Sequence, residues 1–322
     1  MESNVLYYGD NLPILRNREH FPSGSVHLIY LDPPFNSKKE YNLIFTERTG
    51  EPSQAQERAF TDFWRWDDAA EATYTDLVSS GAAPPRVAEL IGALRRGLGE
   101  NDVMAYLVMM TARLVELYRV LREDGSIYLH CDPAASHYLK VVLDQVFGPQ
   151  HFRREIIWRS GWVSGFKAAA KNWVRNHDTL LYYTKSDTFT FNKDKAYTPH
   201  PEGYKRRGGG GNPRGVAMDD VWTDIYSPWI MSFSKEKLGF QTQKPLALLE
   251  RIIQVSSNAD DIVLDPFCGC GTAVVAAQRL GRRWVGIDAT YVAVNLTQER
   301  LRQEFPDLPV KVLEETASGS KL

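Results

Sequence analysis

The sequence predicts an α/β protein, a mixed and mostly parallel sheet with helices on both faces. Apolar strand-like runs alternate with amphipathic helix patterns in both the first and the last parts of the chain. One such run, Val26 to Leu31 (VHLIYL), ends in Asp32-Pro33-Pro34-Phe35. Another, Ile262 to Asp265, leads through Pro266-Phe267-Cys268-Gly269-Cys270-Gly271 into a helix from Thr272 to Leu280, and then into a strand ending at Asp288. Strand, Gly-x-Gly, helix, strand, acid is the order of a nucleoside-binding α/β unit, and open sheets hold ligands at the carboxyl ends of their strands.

The elements follow in order. Val5 to Tyr8 reads as a strand closed by Gly9-Asp10-Asn11, with Asp10 or Asn11 capping a helix from Leu12 to Arg18. After Phe35, the stretch Asn36 to Phe45 is polar with interspersed aromatics and reads as a loop. Glu47 to Asp102 reads as a mildly acidic insertion with helical patches, in which Pro84-Pro85 starts a helix with Val87, Leu90, Ile91 and Leu94 on one face. Its aromatics Phe60, Phe63, Trp64, Trp66 and Tyr74 read as packing against the body, with a lid or a dimer face as the alternatives. Asp102 to Leu121 is the clearest helix, with Leu107, Met110, Leu114, Leu117 and Leu121 at three-to-four spacing. Asp124-Gly125 predicts a turn, Ser126 to Cys131 a strand, and Ala134 to Val146 a helix. Further strands are predicted at Ile156 to Trp158 and Thr179 to Tyr183, and a helix begins at Pro245 and runs to Val255.

Composition narrows the class. The chain has 322 residues, 43% hydrophobic and 24% charged, as in an ordinary globular protein with a full core. No apolar run reaches membrane-spanning length, and no basic-then-apolar leader opens the chain, so a cytoplasmic protein is expected. Three cysteines, Cys131, Cys268 and Cys270, argue against a disulfide framework, and no metal-ligand spacing is present. The net charge of −2 is unevenly spread. Residues 153–244 hold 16 Lys/Arg against 9 Asp/Glu, a balance of +7. Basic residues there interleave with Trp, Tyr and Phe, and Lys205-Arg206-Arg207 precedes a four-glycine run and Arg214. Such a stretch suits a polyanion, with a solvated basic face as the plainer reading.

The two motifs suggest a chemistry. Two prolines after Asp32 fix two φ angles and remove two N–H donors, leaving a stiff loop that offers a carboxylate, a free carbonyl and an aromatic face to a planar group bearing an NH2. In the glycine turn, Asp265 would repel a pyrophosphate and welcome a cation, and Asp288 can hold two ribose hydroxyls. A nucleoside with ribose hydroxyls and a positive charge describes S-adenosylmethionine.

Asp265-Pro266-Phe267-x-Gly269-x-Gly271-Thr272 resembles the cofactor motif of the DNA amino-methyltransferases, and Asp32-Pro33-Pro34-Phe35 resembles their catalytic motif. The catalytic motif comes first, a basic segment follows and the cofactor motif closes the chain, an order that resembles the β group of adenine-N6 and cytosine-N4 enzymes. Gln241-Thr242-Gln243-Lys244-Pro245 resembles the element preceding the cofactor motif, and Gly9-Asp10 the strand end beside the cofactor's adenine. The resemblance implies a circularly permuted, Rossmann-like methyltransferase fold with an inserted target-recognition region. It implies S-adenosylmethionine as cofactor, held by Asp10, Gln243, Lys244, Pro245, Asp265, Phe267, Gly269, Gly271, Thr272 and Asp288. It implies double-stranded DNA as substrate, and adenine-N6 rather than cytosine-N4 as target, because the motif begins with Asp; the basic, glycine-rich stretch, which lies outside the resemblance, offers Lys205, Arg206, Arg207 and Arg214 as the expected DNA contacts. The expected division is a catalytic half over 1–150 with a helical insertion about 46–100, a recognition region over 151–240, a cofactor half over 241–315 and a frayed tail over 316–322. No membrane partner is expected; a homodimer and a cognate restriction nuclease stay open. The readings from other classes are an inactive nucleic-acid-binding protein on a cofactor fold and an RNA or protein amino-methyltransferase.

Overall fold

The computed structural model describes residues 1–34, 40–42, 58–61, 64–163, 169–200, 212–228, 236–240 and 242–314. The chain opens with β1 (Val5–Tyr8), α1 (Asn11–Arg16) and β2 (Val26–Leu31). A small antiparallel ribbon of β3 (Glu40–Asn42) and β4 (Arg58–Thr61) stands apart from the main sheet. Three helices follow, α2 (Asp68–Ser79), α3 (Pro85–Leu98) and α4 (Asp102–Val120). Then come β5 (Leu121–Cys131), α5 (Pro133–Phe147), β6 (Phe152–Arg159) and β7 (His177–Thr184). The short strands β8 (Tyr197–Thr198) and β9 (Val216–Ala217) pair with each other, and β10 (Val221–Trp222) joins the main sheet. The last part is α6 (Leu246–Ser256), β11 (Ile262–Asp265), α7 (Thr272–Arg279), β12 (Arg283–Asp288), α8 (Tyr291–Glu304) and β13 (Lys311–Glu314).

Nine strands form one sheet in the order β10-β6-β7-β5-β2-β11-β12-β1-β13. All neighbours are parallel except at β7, which runs antiparallel to both β5 and β6. Both faces are covered, which is why β2 and β11 read as nearly unbroken apolar runs. Alternate residues sort to the two faces. Ile29 and Leu31 join the core under α1, α4 and α5, whereas Leu28 and Tyr30 join the core under α6, α7 and α8. Strands β6, β7 and β10 all lie inside 151–240, so that region grows out of the main sheet.

The helix starts are set by caps. Asp10, Asn101 and Asp132 accept hydrogen bonds from Leu12, Met104 and Ala135 backbone N–H groups, at 2.9, 3.0 and 3.0 Å. Helix α1 stops two residues earlier than its pattern predicts, because Asn17 leaves the helical conformation and its N–H bonds back to Pro13 and Ile14. The Asp124-Gly125 turn appears as a bulge within β5: Val26 pairs with Leu121 but Leu28 with Ser126. In the insertion, Leu77, Val87 and Ile91 are buried in the same core as α4 and α5, and Trp64, Trp66 and Tyr74 pack against it. Phe60 and Phe63 fall among residues whose side chains are not described. No helix among the described residues is long and apolar enough to cross a membrane.

Candidate active site

The sheet brings the two distant motifs together. β2 and β11 are parallel neighbours, with Leu28 beside Val263 and Ile29 beside Leu264. The chain leaves β2 and β11 on the same edge, at Asp32 and at Pro266, where a cavity of about 530 Å³ opens. Asp10, Tyr30, Asp32, Lys244, Asp265 and Asp288 all line it. This edge, between strands whose connections diverge, is where an open α/β sheet accepts a ligand.

Each strand end presents a carboxylate, and the turns hold two of them in place. Asp265 is buried and accepts a hydrogen bond from the Phe267 N–H at 3.0 Å. Asp288 accepts from the Gly269 N–H at 2.9 Å with one oxygen, and from the Thr290 N–H and hydroxyl at 2.9 and 2.8 Å with the other. Burial pushes the Asp265 carboxyl well above the usual range; the Phe267 N–H opposes this, and the charges of Asp32 and Asp288 add to it. Burial also raises Asp288, against the hydrogen bonds from Thr290 and Gly269. A desolvated group of acids of this kind favours a cation. The chain supplies one itself: the Lys244 ammonium donates to Asp32 Oδ2, with both side chains mostly buried.

The glycine turn is required by geometry. Gly271 has φ +73°, and a Cβ there would lie 2.4 Å from Thr297 Cγ2. Thr297 in turn donates its hydroxyl to the Gly269 carbonyl at 3.0 Å, which ties the turn to α8. Cys268 and Cys270 are buried in this turn, and burial raises both thiols.

Of the other residues singled out in the sequence, Pro33, Pro34, Phe267, Gly269 and Thr272 line the cavity. Phe35 lies outside the described residues, as do Lys205, Arg206 and Arg207. Gln243 lines the cavity, but its amide is turned to its own loop: it donates to the Glu236 carbonyl at 2.5 Å and accepts from the Leu238 N–H at 3.0 Å. Pro245 is the N-cap residue of α6. Asp10 caps α1 and also accepts from Arg113 at 2.6 Å. Arg214 is exposed between β8 and β9, away from the cavity lining.

Two groups of site residues escape the sequence motifs. Arg113 is buried in α4, donates through Nε to Asn11 Oδ1 at 2.5 Å, and Asn11 donates to the Pro266 carbonyl at 2.6 Å. This joins α4 and α1 to the cofactor-type turn. The available signal was an arginine within the apolar face of an otherwise amphipathic helix, one turn beyond Met109 and Met110. The second group lies behind Tyr30. Its hydroxyl is 2.9 Å from His130 Nδ1, His130 Nε2 is 3.3 Å from Asp178, and Arg175 bridges Asp178 and Asp132 at 2.5 and 3.2 Å. These contacts run from the cavity wall to the surface.

Residues 26–299 match the family model N6_N4_Mtase, DNA methylase. The chain is 35% identical to the type II methyltransferase M.HpaI of Haemophilus parainfluenzae over 201 residues, which is 62% of this chain and 60% of that protein. It is 27% identical to the type II methyltransferase M.BamHI of Bacillus amyloliquefaciens over 328 residues, 96% of this chain and 60% of that protein. The chain thus covers about 60% of the length of these curated relatives. Among solved structures, TTHA0409 from Thermus thermophilus complexed with S-adenosyl-L-methionine aligns with a TM-score of 0.56 at 20% identity, over 97% of this chain and 99% of that one. The cytosine-N4-specific PvuII DNA methyltransferase aligns with a TM-score of 0.55 at 14% identity, over 93% and 88%. Both likenesses establish the fold.

Proposed function

Because the chain belongs to the N6_N4_Mtase DNA methylase family, we infer that it transfers a methyl group from S-adenosylmethionine to the exocyclic N6 of adenine in duplex DNA. The observation that supports this best is the meeting of Asp32, Asp265 and Asp288 on one cavity. The cavity fits the cofactor by its donor set: a buried carboxylate that favours a cation, and beside it a second one at the end of the next strand, suited to ribose hydroxyls. In this reading Asp265, Phe267, Gly269, Thr272 and Asp288 hold the cofactor, and Asp10 sits at its adenine end. Bound S-adenosylmethionine supplies a methyl group already activated by the sulfonium.

The chain's own part is positioning and electrostatics. An aryl amine is a poor nucleophile because its lone pair is delocalised into the ring. The Asp32 carboxylate and the Pro33 carbonyl accept its two N–H bonds and draw the nitrogen towards tetrahedral geometry, so the lone pair points at the methyl carbon. Phe35 stacks on the base. As the nitrogen bonds the methyl carbon, the carbon–sulfur bond breaks with its electron pair left on sulfur as a neutral thioether, and the positive charge passes to the nitrogen, which gives one proton to the Asp32 carboxylate and on to water. The target base leaves the duplex to reach the cavity, at a cost of a few kcal/mol. Residues 1–150 act as the catalytic half, 241–315 as the cofactor half, and 151–240, rooted in β6, β7 and β10, as the DNA-facing region.

Purified protein, S-adenosylmethionine and unmethylated genomic DNA test the reading, with the DNA digested to nucleosides and analysed by mass spectrometry. N6-methyladenine is expected. N4-methylcytosine would overturn the base assignment and keep the site. Absence of any methylated base from an S-adenosylmethionine-binding protein would overturn the activity.

A further inference from the structure

The loop between β6 and β7 leaves and rejoins the sheet at the end where β2 leads into Asp32. Arg159 pairs with His177, and Thr179 pairs with Cys131 at the end of β5, next to β2. From Arg159 to His177 the sequence has no Asp or Glu. Arg159 and Lys171 are exposed there. Arg175 ties the loop to Asp132 and Asp178, and Asp178 reaches Tyr30 on the cavity wall through His130.

Two tryptophans stand on this loop. Trp162 is 54% exposed, with its ring edge-on to Tyr226 at 5.5 Å between centroids, and Trp173 is 97% exposed. An indole is among the largest apolar groups a chain can bury, and a nearly bare one contributes nothing to its own core. Its faces are available to a flat partner. Exposed rings and cations on a segment that itself carries no Asp or Glu match the chemistry of stacked bases and their phosphates.

We propose that Trp173 stacks into the DNA beside the target nucleotide, filling the gap left when the target base leaves the helix, with Arg159 and Lys171 meeting the neighbouring phosphates. This rests on the reading of the chain as a DNA methyltransferase. Extrusion breaks two base stacks, and an inserted ring restores part of that loss.

The test uses the methylated sequence once it is mapped. Two synthetic duplexes carry it, one with the target base paired and one with an abasic position opposite the target, where extrusion costs less. Trp173→Ala is expected to lower kcat/KM about tenfold or more on the paired duplex, the size of one base–aromatic stack, and about threefold or less on the abasic duplex. Trp173→Phe, which keeps a flat ring, is expected to recover most of the loss, and both variants should bind S-adenosylmethionine as the parent does. Parent-like rates for Trp173→Ala on the paired duplex, or equal losses on both duplexes, would overturn the proposal. A parent protein that methylates neither duplex would instead overturn the function on which it rests.

Discussion

The Lys244 ammonium donates to the Asp32 carboxylate across 212 residues of sequence. The pair joins the segment after β2 to the segment before α6 inside one cavity and puts a cation among three carboxylates. In the proposed reaction the target amine needs the same acceptor, so Asp32 acts at the amine while Asp265 and Asp288 act on the cofactor. Asp32→Ala is therefore expected to bind S-adenosylmethionine nearly as the parent does and to lose methyl transfer by about 10²-fold or more. Calorimetric titration of the cofactor and a radiolabelled transfer assay check the two halves; near-parental transfer would remove Asp32 from the mechanism.

Asp265 should trade stability for binding. Its carboxyl is raised by burial, so its ionised form costs the ligand-free fold stability above the ordinary carboxylate range, and that cost is relieved as the pH falls through its raised pKa. Asp265→Asn is expected to raise the melting midpoint of the ligand-free protein at neutral pH, by about 2 °C for each kcal/mol relieved. The same variant should bind S-adenosylmethionine about tenfold more weakly or worse. Differential scanning calorimetry with and without cofactor reads both; unchanged affinity would move the cation's place away from Asp265.

Gly271 tests the turn. A methyl group at Gly271 meets Thr297 on α8 while the backbone is held at positive φ, so Gly271→Ala should cost about 1–3 kcal/mol of stability and weaken cofactor binding through the displaced turn. Adding Thr297→Ala removes the two nearest atoms, and the double variant is expected to regain part of the loss in urea denaturation. Asp288→Ala differs, since it removes the acceptor for Gly269 and Thr290 and should weaken the cofactor with no such rescue.

Arg113 is a positioning residue beneath the same turn. Arg113→Met leaves the Asn11 carbonyl oxygen without its donor in a buried place and loosens the bond from Asn11 to the Pro266 carbonyl. The expected cost is about 1–3 kcal/mol in urea denaturation, together with weaker cofactor binding. A variant as stable as the parent would show that α4 does not brace the turn.

Asp178 sets an acid limit to stability. Burial works to raise its pKa, but the hydrogen bond and charge of His130, the charge of Lys244 and the hydrogen bond from Arg175 overcome it and hold the carboxyl well below the usual range. A depressed folded-state pKa contributes stability that is complete above the unfolded value of about 3.9 and is lost as the pH falls below it. Asp178→Asn should therefore cost about 2 kcal/mol at pH 7, and the gap to the parent should narrow below about pH 4. A gap independent of pH in denaturant melts would mean that the network contributes by packing alone.

Much of this protein was legible locally. Nearly unbroken apolar runs marked β2 and β11, and apolar residues at three-to-four spacing marked α4. The DPPF and DPFCGCGT stretches fell at strand ends because strands end where prolines and glycines stop the ladder. The family, and with it the sheet, followed from the order of those motifs. Tertiary structure alone decided which side chains meet across the chain. Lys244 on Asp32, Arg113 on Asn11, and Tyr30 behind His130 and Asp178 are contacts between residues 212, 102 and about 50 to 100 positions apart. No local pattern encodes such pairs, since a buried polar group needs a partner wherever the packed elements supply one. The same cause turned the Gln243 amide inward and left Trp173 nearly bare on the loop between β6 and β7: sequence names the donors and the rings, and only the assembled sheet decides what each of them faces.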